Sequence, residues 1–187
     1  MLEILDELMA SVNRRIKDEP GLAYFVSERL QFEGWLKVIT TSELRKILTG
    51  PEAQIKLEYQ LDSNERVDIV MPGLLALELK VVATNYAASC VDSKQKDITN
   101  QIRGVVSDLR KLSYLRRDDA VQASASFGIA FPLQPKNHQS WMHHVNNVLV
   151  SGNEYFPGLS LEYIAKTIKL PCINGSVSGL LFALYVA

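Results

Sequence analysis

RVDIVMPGLLALELKVV, residues 66–82, decides how the rest of the chain is read. Pro72-Gly73 divides it into two short apolar stretches, the signature of a turn between strands. In the second stretch Leu75, Leu77, Leu79 and Val81 fall on one side of a period-two strand, leaving Ala76, Glu78 and Lys80 together on the other. The first stretch carries Asp68 between Val67 and Ile69. Past Arg66, three charged side chains thus sit in strands that are otherwise Val, Leu, Ile, Ala and Met. Burying a charge is costly unless it is paired or holds a metal, so this placement asks for a chemical reason.

Parity adds a constraint. A two-residue turn at Pro72-Gly73 would pair residue 71 with 74 and 68 with 77, setting Asp68 opposite the wrong neighbour. For Asp68 to share a face with Glu78, the connection must hold three residues or a bulge, and that is the expectation.

Outward from this hairpin the periodicity changes several times. Leu2, Leu5, Leu8, Met9, Val12 and Ile16 form a helical stripe that Pro20-Gly21 breaks. Acidic residues inside that stripe mark an amphipathic helix, not a secretory leader. A second helical region spans about residues 22–48, with a break expected at Thr40-Thr41-Ser42, where Thr41 or Ser42 would cap the last piece. Ile55, Leu57, Tyr59 and Leu61 alternate with Lys56, Glu58 and Gln60, a half-exposed strand in which Glu58 reads as solvated. Ile98, Ile102, Val105, Leu109 and Leu112 restore the helical period over about 95–115. Phe127, Ile129 and Phe131 make a further strand, closed by Pro132. HQSWMHHVNNVLV (138–150) reads as a helix, and LSLEYIAKTIKL (159–170) and SGLLFALYVA (178–187) as two late strands.

Composition bounds what these elements build. A chain of 187 residues is one domain's worth, and 47% apolar with 22% charged residues is ordinary for a soluble globular protein. The net charge of −1 argues against a protein that coats nucleic acid indiscriminately. The apolar run GLLFALYVA is too short to span a bilayer. Cys90 and Cys172 lie far apart with no metal spacing, so a reduced, cytoplasmic protein is expected.

The order helix, three strands, helix, strand over residues 22–131 resembles the PD-(D/E)xK nuclease superfamily. Asp68 stands in the second strand and Glu78-Leu79-Lys80 in the third, where that family carries its motif. The resemblance implies an α/β, restriction-endonuclease-like fold. Its αβββαβ core has a mixed central sheet flanked by helices, with C-terminal helix and strand additions. Residues 1–187 would form one such domain: an N-terminal helix (1–20), the core (22–131) and the additions (132–187). It further implies that Asp68, Glu78 and the backbone carbonyl of Leu79 hold Mg²⁺, for which Mn²⁺ can substitute. Lys80 would orient or help deprotonate the attacking water, or stabilise the pentacovalent phosphate. Glu33, with Glu28 as the other candidate, would complete the acidic cluster. The implied activity is endonucleolytic hydrolysis of DNA, by a homodimer where both strands of a duplex are cut. Gln101 is followed four residues on by Val105 and not by Tyr, so the RecB-like exonuclease branch is not implied.

Lys96, Arg103, Arg110 and Arg117 recur every seven residues. Beside a nuclease centre they are candidates for phosphate contacts, although a basic helix face is ordinarily just solvated and Asp108, Asp118 and Asp119 interrupt it. His138, His143 and His144 lack zinc spacing. Two rival readings remain: the same fold kept as a binding module without chemistry, and an interaction module of a toxin, immunity or phage system working through the late strands.

Overall fold

The computed structural model describes residues 2–48, 54–92, 98–117, 120–133, 143, 146 and 161–186. Four helices and six strands follow in the order α1 (Leu2–Lys17), α2 (Leu22–Ser27), α3 (Glu33–Ile47), β1 (Lys56–Gln60), β2 (Arg66–Met71), β3 (Leu75–Ala83), α4 (Ile98–Arg117), β4 (Ala123–Leu133), β5 (Leu161–Cys172) and β6 (Gly175–Val186). The strands form one mixed sheet in the order β1-β2-β3-β4-β6-β5. Only β3 and β4 run parallel, joined through α4. The molecule is therefore α/β, and the late strands expected after residue 132 extend the same sheet through β6.

Two apolar layers hold the helices to the sheet. On one face Leu5, Leu8, Val12 and Ile16 of α1 and Leu36, Ile39 and Leu44 of α3 pack on Leu75, Leu77, Leu79 and Val81. On the other, Ile98, Ile102, Val105, Leu109 and Leu112 of α4 meet Ala76, Val82, Ala130 and Leu180. The two faces of β3 divide as period two requires, and its burial on both sides explains its near-continuous Leu, Ala and Val.

Between β2 and β3 the chain turns through Pro72, Gly73 and Leu74, and Met71 pairs with Leu75. The three-residue connection that parity demands is present. Leu74 N–H donates to the Met71 carbonyl at 3.0 Å, and Gly73 takes a left-handed φ of 74°, as the third position of a type II turn requires.

Two expectations are corrected. The helical region 22–48 breaks not at residues 40–42 but at 28–32. Arg29 adopts φ 49°, with Leu30 N–H on Phe25 O and Arg29 N–H on Val26 O, a Schellman ending without glycine. Buried Arg29 tolerates it because its guanidinium donates to the carbonyls of Thr84 and Tyr86 at 3.1 and 2.9 Å. Thr41 does not cap; its hydroxyl bonds the Lys37 carbonyl one turn back and the helix runs on. Second, Pro132 does not close β4, which continues to Leu133 through a cis Phe131–Pro132 bond. The helix read over 138–150 lies outside the described residues except His143 and Asn146, both helical.

Candidate functional site

The local structure around β3 begins with a parting of strands. β2 pairs with β3 only at Ile69↔Leu77, Val70↔Ala76 and Met71↔Leu75. Beyond Leu77 the edge of β3 that faces β2 has no strand on it. Backbone N–H groups there must still find acceptors. Asp68 Oδ2 accepts from Leu79 N–H at 2.8 Å, and Glu33 Oε1, from the first turn of α3, accepts from Val81 N–H at 3.1 Å. Two carboxylates thus replace a strand. A residue's N–H and C=O leave a strand on the same edge, so the Leu79 carbonyl shares the edge that Asp68 occupies.

The register sets three acids level with one another. Glu58 falls opposite Asp68 by the pairing of Leu57↔Ile69 and Tyr59↔Val67, and Asp68 falls opposite Glu78 by continuing the β2–β3 register. Like charges directly opposite repel, and the backbone departs from regularity there. Glu58 has φ 50°. Val67 and Val70 both join the α4-side layer while Ile69 and Met71 join the other, so the alternation slips at Asp68.

Each charge is then collected by a lysine or an acid from a helix. Lys37 of α3 lies 2.6 Å from Asp68 Oδ1 and also bonds Glu58. Lys111 of α4 lies 2.8 Å from Glu78 Oε1 and donates to the Arg66 carbonyl at 2.6 Å. Lys80 lies 3.0 Å from Asp108 of α4. The expectation that Asp68 and Glu78 share a face is thus corrected: the slip at Asp68 turns it to α3, and Glu78 is drawn to α4 on the opposite face of the sheet. Among the described residues no three His, Cys, Asp or Glu side chains converge closely enough to hold a metal ion.

The electrostatics of the row are uneven. Glu78 is only 8% exposed, and burial, with Asp68 and Asp108 nearby, pushes its carboxyl up to about 7 despite Lys111. Its Oε2 is buried with no hydrogen-bond partner. Burial opposes the charge on Lys80, but Asp108 first, then Glu33 and Glu78, outweigh it and hold the ammonium above its ordinary range. A lysine so held stabilises negative charge and does not abstract protons. Lys37 is likewise raised, its desolvation outweighed by Asp68 and Glu58.

Of the sequence-derived candidates, Asp68, Glu78, Lys80 and Glu33 all gather on residues 78–81 of β3, but not at one point. Glu28 is the residue after α2. Arg103 and Arg110 are exposed on α4, Arg103 donating to Asn100 at 3.1 Å. Lys96 and the side chain of Arg117 lie outside the described residues. Sequence reasoning missed Lys37, Asp108 and Lys111 and took Glu58 as merely solvated. Lys37 is one helical turn after Glu33, and Asp108 and Lys111 are three apart on α4, spacings that mark a shared helix face and nothing more. The expectation of two reduced cysteines is also corrected, because Cys90 and Cys172 are joined in a disulfide with Cα atoms 6.1 Å apart. Chain folding brings the segment after β3 onto the β5–β6 hairpin, a contact that sequence separation hides. No family model, no curated protein and no solved structure matches the chain.

Proposed function

We propose that this chain is a metal-dependent endonuclease of restriction-endonuclease-like fold, hydrolysing phosphodiester bonds in DNA. The observation that supports this reading best is the bare edge of β3. There Asp68 and Glu33 sit on backbone N–H groups, and Glu78, level with Asp68 but drawn to the α4 face, carries a buried oxygen without a hydrogen-bond partner. A hard divalent cation suits carboxylate oxygens, and bringing these two acids to one ion requires Asp68 or Glu78 to leave its lysine. The network of Glu33, Glu58, Asp68, Glu78 and Asp108 against Lys37, Lys80 and Lys111 sets five carboxylates against three ammoniums, leaving two negative charges when all are ionised. Asp68, Glu78 and the Leu79 carbonyl would hold Mg²⁺ or Mn²⁺, which when bound lowers the pKa of a ligated water and offsets charge on the phosphate.

The chain's own groups have definable tasks. Glu33 and Leu79 N–H fix the level of the acids against β3. Lys80 offers a permanent positive charge to the phosphate, anchored by Asp108. Arg103 and Arg110, exposed on α4, would contact a phosphate backbone, with Lys96 and Arg117 completing the stripe in sequence. A homodimer would suit cleavage of both strands of a duplex. A cytoplasmic place of work would fit a DNA substrate.

A second reading, a binding module without chemistry, is favoured by one observation: Asp68, Glu78 and Lys80 each already have a protein counter-ion. Cleavage of plasmid and single-stranded DNA with Mg²⁺ and Mn²⁺ separates the two. The nuclease reading expects cutting that falls about 100-fold or more in Asp68→Ala and in Lys80→Ala. No cutting with either metal, or cutting indifferent to both substitutions, would leave the binding module standing.

A further inference from the structure

Glu58 is an odd residue to find at φ 50° in the middle of a strand. A side chain there is strained and persists only when its surroundings hold it. What holds it is Lys37, which bonds Glu58 and Asp68 at once. One ammonium thus bridges two acids from neighbouring strands, and one of them is a proposed ligand. Glu58 is half exposed while Asp68 is largely buried, with side-chain exposures of 49% and 18%. The lysine therefore has a solvent-side acceptor available if it gives up the inner one.

We propose that Lys37 is an exchangeable counter-ion: it occupies Asp68 in the metal-free protein and withdraws to Glu58 when a divalent cation takes Asp68. This inference rests on the metal-binding reading of the same site. It accounts for three facts together. Asp68 lies level with Glu78 yet is drawn to the opposite helix. The alternation of β2 slips at Asp68 alone. Glu58 is held in a strained conformation whose evident return is a second seat for Lys37. No covalent step is involved; one cation replaces another on a carboxylate.

The test is a Mn²⁺ titration followed by electron paramagnetic resonance on the full chain, comparing wild type with Lys37→Met, Lys37→Gln, Glu58→Gln and Asp68→Asn. Removing the competitor should tighten Mn²⁺ binding about fivefold or more in both Lys37 variants, the worth of one partly buried ion pair. Removing its alternative seat in Glu58→Gln should weaken binding severalfold. Damage to the fold would weaken binding in every variant, so a gain at Lys37 carries the opposite sign to a structural defect. Two isomorphous Lys37 variants also guard against one failing to fold. Wild-type binding abolished by Asp68→Asn but unchanged or weakened in both Lys37 variants overturns the exchange and leaves the metal reading intact. No Mn²⁺ binding by any variant overturns both. Binding that appears only when Lys37 is removed supports the exchange.

Discussion

Glu78 illustrates how a single position answers to burial and to charge at once. Its carboxyl is pushed from 4.5 up to about 7, first by desolvation and then by Asp68 and Asp108, with Lys111 opposing. Between those pH values the folded protein holds a proton that the unfolded chain has released. This group's contribution to stability is therefore fully present below about 4.5 and is lost as pH rises to about 7. Glu78→Gln mimics the protonated form. It should flatten the stability-versus-pH slope in that window and stabilise the protein above it by on the order of 2 kcal/mol, read from urea unfolding at several pH values. An unchanged slope would mean that Glu78 is better solvated than its burial indicates. The charged residues at 68, 78 and 80 were legible as a charged cluster because they interrupt apolar strands. Their counter-ions were not, since Lys37 and Lys111 look like any solvated helix lysine until the fold brings them over the sheet.

At the scale of elements, strand geometry was the most legible feature. The turn of three residues follows from parity alone, and period two assigns Leu75, Leu77, Leu79 and Val81 to one face of β3. Gly73→Ala should cost about 1 kcal/mol at φ 74°, read from urea unfolding. Gly128→Ala tests the site's floor. A Cβ there would lie 2.5 Å from the Lys80 carbonyl and 2.7 Å from the Phe182 ring, so β3 must shift. A loss of about 1–3 kcal/mol is expected in thermal unfolding, with a parallel loss of any cleavage activity, because Lys80 moves with its backbone. What period and propensity could not show were the helix break at Arg29 and the continuity of α3 through Thr41. Both turn on hydrogen bonds to particular carbonyls, those of Thr84, Tyr86 and Lys37, that no local pattern announces.

Across the whole molecule, one covalent link and several backbone bonds tie the end of β3 to the last hairpin. Cys90 bonds Cys172 across 82 residues, Asp92 N–H donates to Ser27 O at 2.7 Å, and Ile173 N–H donates to Ser27 Oγ at 2.9 Å. Closing a loop of that length restricts the unfolded chain by about 4 kcal/mol in the chain-entropy account. Reduction, or Cys172→Ser, should lower the denaturation midpoint accordingly. Intact-mass measurement with and without alkylation shows which state the protein holds in its native cell. No helix among the described residues is long and apolar enough to cross a membrane. The α/β class and the order of elements were readable because each segment's periodicity is strong. The disulfide was not, because spacing in sequence says nothing about which strands end beside each other.

The central claim is that Asp68 and Glu78 come to share one divalent cation, and a Mn²⁺-soaked crystal examined by anomalous scattering tests it most directly. The account predicts a peak at about 2.0–2.4 Å from a carboxylate oxygen of each, with Lys37 bonded to Glu58 and no longer to Asp68. Density showing Lys37 still on Asp68 and Lys111 still on Glu78, with no anomalous peak between them at saturating Mn²⁺, would contradict it.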